Sequence, residues 1–566
     1  MIASVFALAV LLAAAPAPAE QPAAKPAAKK PADKKPAAKK SDAKGRATSP
    51  EGVKLFGMRG YPPQEEVKDP ATFFPLIDTF GQYIHREWPG KVHAAADLEA
   101  AKKAEARDLL AKPGPKDWNQ YGGWKAGPAL KATGHFRTEK VDGRWWLVDP
   151  EGRLFWSHGN DCVGSSADTR IDGREAWFKD FPGAQPEFKP FLHKTGPALK
   201  GDYTDRAGQA FDFAKANALR KYGPDWRQAT ADLAHRRLRS WGMNTIANWS
   251  SADIYMIKRT PYTANVWFHS RPIAASTGYW GQFKDPYEPE FAEKLKAALA
   301  KTAAGTADDP WCLGYFIDNE IGWGSATDLA TASLASPPEQ AAKKAMIEFL
   351  KGRYADIVKL NAAWGTSHAS WEALAAATAA PDKKRAAADL EAMTGRIAEQ
   401  YFRVIRDTVR AIAPKKLYLG CRFAWVNDPA AVAASKFCDV VTYNRYKTSV
   451  ADLKLPAGAD DKPLLIGEFH FGALDRGMFH TGLVPTASQA ARAEAYKSYV
   501  QGALANPLLV GTHWFKYQDE PTTGRPLDEE NYQIGFVDIC DTPYAETIEA
   551  SRAVGYGMYA FRKNAK

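Results

Sequence analysis

Two short stretches of this 566-residue chain place a carboxylate directly after an apolar run. In CLGYFIDNEIGWG the run ends in Asp318, Asn319 and Glu320, and in LLIGEFHFG it ends in Glu468. A carboxylate beside buried apolar surface loses solvation, so it needs either a partner or a chemical role. Two such groups that face each other across a bound sugar can act as proton donor and nucleophile.

A structural ion pair is the alternative explanation for each glutamate, with Arg422 or Arg476 as its partner. Either glutamate alone fits that explanation as well as the catalytic one, but the presence of both favours catalysis. For double displacement the two carboxyls must lie roughly 5 to 5.5 Å apart. Apolar neighbours of Glu320 are expected to raise its pKa, while a hydroxyl such as that of Tyr443 would keep Glu468 ionised.

Eight short apolar runs alternate with amphipathic segments, and these are the elements that must position the glutamates. The runs are LFWSHG, MNTIANW, YTANVWF, CLGYFIDNE, LYLGCRF, CDVVTYN, PLLIGEF and LLVGTHWF, with helices predicted at 226–240, 289–303, 385–412 and 488–505. Continuous apolar strands are typical of a parallel sheet covered on both faces, and eight such units close a (β/α)8 TIM barrel. A doubly wound open sheet is the alternative, but no Gly-x-Gly-x-x-Gly follows an early strand.

Polar residues at the ends of these runs are the candidate site, because a barrel of this kind carries its catalytic groups at the carboxyl ends of its strands. The candidate substrate-binding residues are Asn160, His269, Asn319, Arg422, Tyr443, His470 and Trp514. Five tryptophans lie at or just after strand ends, where they can stack on flat sugar faces, and core packing is the alternative for several of them: Trp249, Trp267, Trp323, Trp425 and Trp514. The long segment 164–205 after the first strand is predicted to form a wall of the binding cleft.

Longer strings in the chain resemble known glycoside hydrolases. Asp318-Asn319-Glu320 after the fourth strand, with Glu468 ending the seventh, is similar to the arrangement of clan A. Within that clan, GYFIDNEIGWG, FLKGRYADIVKLNAAWGTSHASWEAL, IGEFHFGALDRGMFHTGLV and GTHWFKYQDEP resemble the family 50 β-agarases and, less closely, the family 42 β-galactosidases. The resemblance covers roughly residues 70–560.

The resemblance also implies roles for individual residues. Glu320 would be the acid/base and Glu468 the nucleophile, while Asn319 would donate a hydrogen bond to the sugar hydroxyl beside the reacting carbon. Tyr443 would orient the nucleophile, and Trp514 would be the stacking platform. The four-cysteine metal site of many family 42 enzymes has no counterpart here, which weakens the galactosidase interpretation.

Neither a metal, a cofactor nor a disulfide framework is predicted. The five cysteines are scattered, odd in number and free of any C-x-x-C pair, at Cys162, Cys312, Cys421, Cys438 and Cys540. His470, Asp475 and His480 follow one another near the seventh strand, but no second ligand cluster has usable spacing.

The amino-terminal residues are expected to serve export rather than folding. Residues 1–19 hold an apolar run followed by Ala-Pro-Ala and predict a signal peptide; a membrane anchor is the alternative, but the run is short for a span. Residues 20–48 are an Ala/Lys/Pro tether that cannot bury apolar area. We therefore predict a secreted or periplasmic protein with an accessory region at 49–134 and the barrel at 135–566.

Charge argues against a nucleic-acid partner. The tether carries nine basic and three acidic residues, which accounts for six of the chain's net charge of +10 and leaves the folded part near neutral. The expected partner is a polysaccharide or oligosaccharide, with no stable membrane insertion, and the oligomeric state is not indicated.

The leading hypothesis is a secreted retaining glycosidase that acts on an agarose-type galactan. An exo-acting β-galactosidase on other oligosaccharides is a second possibility. A non-catalytic carbohydrate-binding barrel is a third, although the presence of both glutamates argues against it.

Overall fold

The computed structural model describes residues 57–63, 73–164 and 166–565. The predicted signal peptide and tether lie outside the described residues, as does the beginning of the predicted accessory region. Within the described ranges, no helix combines the length and the apolar character that a membrane span requires.

The described residues contain fourteen strands and fourteen α-helices. The strands are β1 (Arg137–Val141), β2 (Arg144–Val148), β3 (Leu154–Phe155), β4 (Ser157–Asn160), β5 (Asp168–Arg170), β6 (Leu192–Thr195), β7 (Gly208–Asp212), β8 (Thr245–Ile246), β9 (Tyr262–Val266), β10 (Cys312–Ile317), β11 (Leu417–Tyr418), β12 (Val441–Asn444), β13 (Leu464–Phe469) and β14 (Leu509–Trp514). The helices are α1 (Ala95–Ala111), α2 (Phe213–Tyr222), α3 (Trp226–Ser240), α4 (Ala252–Tyr255), α5 (Pro289–Thr306), α6 (Asp328–Ala335), α7 (Ala341–Tyr354), α8 (Ile357–Trp364), α9 (Trp371–Ala376), α10 (Ala387–Ile412), α11 (Asp428–Phe437), α12 (Gln489–Ala505), α13 (Ala545–Gly555) and α14 (Met558–Asn564).

Eight parallel strands form a closed barrel. Their order in the sheet is β11-β10-β9-β8-β4-β14-β13-β12. The two end strands meet through a parallel bridge between Phe423 and Tyr443, where the Phe423 N–H donates to the Thr442 carbonyl at 2.8 Å. Each of the eight predicted runs contains one barrel strand, so the prediction of a (β/α)8 TIM barrel is confirmed.

The helices around the barrel follow from local sequence. In α10 the buried residues Leu390, Met393, Ile397, Tyr401 and Ile405 recur every three or four positions, which turns one face of the helix toward the sheet. The helix ends at Ile412 because the following Ala413 precedes Pro414, and the residue before a proline disfavours helical dihedrals.

The interior of the barrel is closed at the amino ends of its strands. Leu313, Leu417, Leu465 and Val510 project inward from four strands and form one apolar cluster. Phe136, Leu147 and Phe155, from the β1–β2 hairpin region and β3, belong to the same cluster. This end is therefore a packed core, and the opposite end is left for a site.

A second core joins the amino-terminal region to the insertion that follows β4. The insertion folds into a three-stranded antiparallel sheet in the order β5-β7-β6. Its aromatic residues pack against those of the amino-terminal region, and the cluster includes Phe73, Leu76, Ile77, Phe80, Tyr83, Trp177, Phe178, Phe188, Phe191 and Phe211. The aromatic residues of the 164–205 segment therefore serve mainly to attach the amino-terminal region.

Candidate active site

A cavity of about 860 Å³ opens at the carboxyl ends of the barrel strands. Glu320 and Glu468 both line it, and its volume lies in the range of sites that bind small ligands. Aromatic side chains make up much of its surface: Trp249, Trp267, Tyr279, Trp280, Trp425, Tyr446, Phe515 and Tyr532. Such surfaces suit the flat apolar faces of sugars.

Left-handed backbone at the end of β10 explains why consecutive residues reach the cavity. In an extended strand, neighbouring side chains face opposite sides of the sheet. Asp318 follows that rule and points toward α10, where it accepts a hydrogen bond from the Tyr401 hydroxyl at 2.8 Å. Asp318 has φ 64° and Glu320 has φ 50°, so the alternation breaks, and Asn319 and Glu320 both line the cavity.

Glu320 lies in a neutral hydrogen-bonding environment. Its Oε1 accepts from Asn444 Nδ2 at 2.8 Å, and its Oε2 accepts from Trp280 Nε1 at 2.9 Å. Burial, followed by the nearby charge of Glu468, raises the pKa of Glu320 to about 7. A carboxyl that keeps its proton near neutral pH is suited to act as a general acid.

Glu468 lies in a charged environment. Its Oε1 accepts from Arg422 Nη2 at 2.5 Å, and its Oε2 accepts from the Tyr446 hydroxyl at 2.5 Å. The indole nitrogen of Trp249 lies 3.5 Å from Oε1. A guanidinium and a hydroxyl donor both favour the ionised carboxylate, which is the form that a nucleophile requires. The ion pair with Arg422 that the sequence suggested does exist, but the same carboxylate also faces the cavity.

A chain of polar contacts joins the two glutamates into one site. Arg422 Nε donates to Asn319 Oδ1 at 2.8 Å, while its Nη2 contacts Glu468. Asn444 Nδ2 bonds Glu320 and lies 3.5 Å from the same Asn319 oxygen. Arg422 also has positive φ, at 55°, which turns its side chain into the barrel. The ends of β10, β11, β12 and β13 thus converge on one centre.

Comparisons with known proteins identify the family of the chain. No family model matches the chain. β-Agarase B of Vibrio sp. (strain JT0107) is 36% identical over 530 residues, which is 87% of this chain and 55% of that protein. A solved exo-β-agarase shares 33% identity with a TM-score of 0.81, covering 89% of this chain and 75% of that one. The chain belongs to the family 50 β-agarases.

Further relatives give the same result. β-Agarase A of the same Vibrio strain is 34% identical over 546 residues, covering 88% of this chain and 53% of that protein. The structure of PfGH50B has 31% identity and a TM-score of 0.82, over 87% of this chain and 76% of that one. The chain spans about half the length of the curated family 50 relatives it matches.

The structure corrects the role that the family 50 resemblance implied for Tyr443. Along β12, Asn444 faces the cavity, so its neighbour Tyr443 faces the helices and packs on Phe423 with ring centroids 5.5 Å apart. The hydroxyl on Glu468 belongs to Tyr446, two positions beyond Asn444. A period of two counted from Asn444 would have selected Tyr446.

Trp514 is a second correction, for the same reason. It is fully buried, its Nε1 donates to the Ile534 carbonyl at 2.8 Å, and it packs against Phe469 at 5.2 Å. The following residue, Phe515, lines the cavity instead. Trp323 is also buried, stacked on Phe402. The other three tryptophans predicted to stack, Trp249, Trp267 and Trp425, do line the cavity.

Asn160 and His269 are not brought to the cavity. Asn160 has the same parity on β4 as His158, which faces the helices and contacts the Tyr496 hydroxyl at 2.5 Å, and Asn160 is fully buried. His269 lies exposed beyond the end of β9. The prediction of substrate contact is therefore wrong for Asn160. For His269, whose ring lies 6.2 Å from that of the cavity-lining Trp267, it stays a prediction. Asn319 lines the cavity, and the fully buried Arg422 reaches the centre through its contacts with Asn319 and Glu468.

His470 lies at the cavity surface, but its polar atoms are used within the protein. Its Nε2 accepts from the Leu483 N–H at 2.8 Å, so Nδ1 carries the proton and donates to the Phe515 carbonyl at 3.1 Å. Burial lowers the pKa of His470 to about 3, which keeps the ring neutral. It can therefore offer a ring face to substrate but no charge.

Three segments far apart in the chain form a part of the cavity surface that carries none of the predicted site residues. This loop wall consists of Arg59, Leu199, Arg525, Leu527, Glu530 and Tyr532. Arg59 Nη1 lies 2.8 Å from the Tyr532 hydroxyl and 3.1 Å from Glu530 Oε1, and Arg525 pairs with Glu530 at 2.7 Å. The Leu199 N–H donates to the Leu527 carbonyl at 2.8 Å. No pattern within a short stretch of sequence predicts this loop wall, because its residues lie far apart in the chain.

The described residues contain no cluster of potential metal ligands. Across those ranges, no group of three or more His, Cys, Asp or Glu side chains is arranged to hold a metal ion. The five cysteines are all buried free thiols.

Of the 164–205 segment that was predicted to form a cleft wall, Leu199 lines the cavity.

Proposed function

We propose that this chain is a retaining glycoside hydrolase that cleaves β-galactosidic linkages of an agarose-type galactan or of its oligosaccharides. The observation that carries the proposal is one cavity with two carboxyls in contrasting environments, Glu320 among neutral donors and Glu468 on a guanidinium. Membership of family 50, whose matched relatives are called β-agarases, supports the substrate class. The chain spans about half the length of the curated relatives, so activity on intact polysaccharide does not follow from their names and is proposed here.

In the first step, the Glu468 carboxylate attacks the anomeric carbon. Glu320 donates its proton to the departing glycosidic oxygen, and a glycosyl ester forms on Glu468. Asn319 Oδ1 accepts from Arg422, which leaves its amide N–H groups for the hydroxyl beside the reacting carbon. A hydrogen bond that strengthens in the transition state accelerates the step.

In the second step, the ionised Glu320 acts as a base. It removes a proton from water, the water attacks the anomeric carbon, and Glu468 is released as a carboxylate. Two inversions give net retention. Tyr446 and Arg422 hold the leaving carboxylate as its charge returns.

Exposed aromatic residues at the mouth of the cavity would hold the remaining sugar units. Trp425, Trp267 and Tyr279 are 51%, 40% and 38% exposed, which leaves room on each ring for a stacked sugar. Their number suits an oligosaccharide or polymer rather than a single sugar.

The proposed location is the periplasm or the exterior of the cell, because residues 1–19 have the pattern of a signal peptide and the proposed substrate is a polysaccharide. Expression with and without residues 1–19, followed by fractionation, tests this. Export that does not depend on these residues would contradict it.

The decisive experiment is incubation with agarose, neoagaro-oligosaccharides and nitrophenyl β-galactoside, followed by separation of the products. Cleavage of the first two is expected, and proton magnetic resonance should show the β-anomer forming first. Cleavage of the nitrophenyl glycoside alone would favour the exo-acting β-galactosidase, and binding without cleavage the carbohydrate-binding barrel. An α-anomer would require carboxyls roughly 6.5 to 9.5 Å apart and a different mechanism.

A further inference from the structure

A third carboxylate contacts the guanidinium that anchors Glu468. Arg422 Nη2 lies 2.9 Å from Asp161 Oδ2 and 2.5 Å from Glu468 Oε1, so one nitrogen serves both acids. The side chains of Asp161 and Arg422 are both completely inaccessible to solvent. Asp161 does not line the cavity, so it acts on the reaction through Arg422 and not by touching substrate.

The backbone holds Asp161 firmly in this place. It directly follows β4, its N–H donates to the Trp514 carbonyl at 2.9 Å, and its carbonyl accepts from the Tyr517 N–H at 3.0 Å. Its Oδ1, however, has no hydrogen-bond partner among the described residues. A buried carboxylate with an unpaired oxygen costs folding free energy, so its presence calls for a function beyond packing.

We propose that Asp161 is a positioning residue for the nucleophile: it fixes the Arg422 guanidinium and shares its charge, so that Glu468 stays anchored yet basic enough to attack. The inference rests on the proposed function, in which Glu468 forms the glycosyl ester. With Arg422 to itself, Glu468 would hold its electron pairs more tightly and attack more slowly.

The Asp161–Arg422 ion pair also gives Arg422 a partner while the glycosyl ester is present on Glu468. When Glu468 becomes an ester it loses its negative charge, and a buried guanidinium without a counter-ion is strongly unfavourable. Burial, and then the charge of Glu468, raises the pKa of Asp161 to about 8, while Arg422 opposes the rise. Once Glu468 is an ester its charge no longer repels Asp161, and Asp161, 2.9 Å from Arg422, becomes that counter-ion. It therefore stabilises the glycosyl enzyme relative to a site in which Arg422 has one partner.

Several ionisable groups influence Glu468, and the test must separate Asp161 from them. They are Arg422 and Tyr446 in direct contact, Glu320 across the cavity, Asp161 and Cys162 after β4, and Glu530 beyond Tyr446. The neighbouring His470 is held neutral by burial. Replacement of Asp161 alone removes one ionisable acid from Arg422 and leaves the other groups in place.

The experiment compares the pH profile of kcat/KM for the wild type and for Asp161→Asn, on a substrate that the wild type hydrolyses. Asp161→Asn leaves Glu468 as the one acid on Arg422, so the acidic limb of the profile should move to lower pH by about half a unit or more. kcat should fall about tenfold with KM within about twofold, because an interaction of the chemical step is lost.

Asp309→Asn is the matched control. Asp309 is equally buried but lies before β10, at the opposite end of the barrel, where it accepts from the Tyr262 hydroxyl at 2.9 Å. This variant should lose stability and leave the acidic limb unmoved. If Asp161→Asn does not fold, Asp161→Ser carries the same prediction, because the hydroxyl leaves room for water beside Arg422.

A folded Asp161 variant whose acidic limb coincides with that of the wild type would overturn the inference, since a purely structural role predicts no shift. Absence of hydrolysis by the wild type would instead reject the proposed function. The two failures are therefore distinct.

Discussion

The two sides of the cavity are built in different ways. On the strand side, Glu320, Arg422, Asn444 and Glu468 each lie within a few residues of the end of a barrel strand, and successive strands bring them together. The loop wall joins Arg59 to residues more than a hundred positions away, through ion pairs with Glu530 and hydrogen bonds between loops. The reacting residues are thus positioned by the barrel strands, while the loop wall is held together by contacts between loops that are far apart in the chain.

The reacting groups and the two leucines of the loop wall differ in exposure. Arg422 is fully buried and Glu468 is 5% exposed, whereas Leu199 and Leu527 of the loop wall are 60% and 45% exposed. Rigid, buried side chains can hold reacting groups to the accuracy that catalysis requires, and exposed ones mainly supply contact area. Variants on the strand side should therefore lower kcat, and variants of the loop wall should raise KM.

The largest effect is expected from Glu468→Gln. The amide is nearly isosteric, and its oxygen can still accept from Arg422 while its nitrogen faces the Tyr446 oxygen as a donor, but it cannot form the glycosyl ester. Turnover should fall by several orders of magnitude while thermal unfolding stays close to the wild type. Activity within tenfold of the wild type would remove Glu468 from the role of nucleophile.

Glu320→Ala should come next. Loss of a general acid slows reaction by about 10²–10⁴-fold, and more for poor leaving groups than for activated aryl glycosides. Added azide should restore turnover of the aryl glycoside by attacking the glycosyl enzyme, with a glycosyl azide as the product. Equal losses on both substrates and no azide product would show that Glu320 is not the proton donor.

Two tyrosines on one strand connection provide an internal comparison. Tyr446→Phe removes a hydrogen bond to the Glu468 carboxylate and should lower kcat by roughly ten- to a hundredfold, as expected for a bond to a charged group. Tyr443→Phe should change kcat little, because this ring faces the helices. Steady-state kinetics of the two variants measure the difference, and a reversal of the pattern would restore the role first assigned to Tyr443.

The loop wall should respond in KM. Arg59→Gln breaks the contacts to Glu530 and Tyr532, loosens this wall and should raise KM about tenfold with kcat nearly unchanged. Arg410→Gln is the matched control, because Arg410 pairs with Asp439 away from the cavity and should leave both constants unchanged. A fall in kcat for Arg59→Gln without a change in KM would break the proposed division.

The smallest effect concerns pH. Glu320 must be protonated to act, so kcat/KM should decline as pH rises through about 7. Trp280 Nε1 donates to the Glu320 carboxylate and favours its ionised form, so Trp280→Phe should raise the pKa and move the alkaline limb upward by about half a unit. A limb that moves downward would contradict this assignment.

The alternation of side chains between the two faces of a strand explains which site predictions were correct and which were wrong. Every barrel strand could be predicted from an apolar run, because a strand that is buried on both faces has a continuous apolar sequence. Tyr443, Trp514 and Asn160 were selected by proximity to a strand end, but their parity turns them toward the helices. Asn319 and Glu320 reach the cavity together because left-handed dihedrals interrupt the alternation. The residue types at these positions do not predict such dihedrals.

The sequence by itself determined the barrel, the positions of four long helices and the two glutamates, because each depends on local periodicity or on a polar residue beside an apolar run. Tertiary structure decided the surroundings that distinguish the two acids. It brought Trp280 and Asn444 to Glu320, Tyr446 and Arg422 to Glu468, and Arg59 to the loop wall. These contacts join residues far apart in the chain or on different strands, and their free energy depends on distance and burial, which appear only once the barrel has closed.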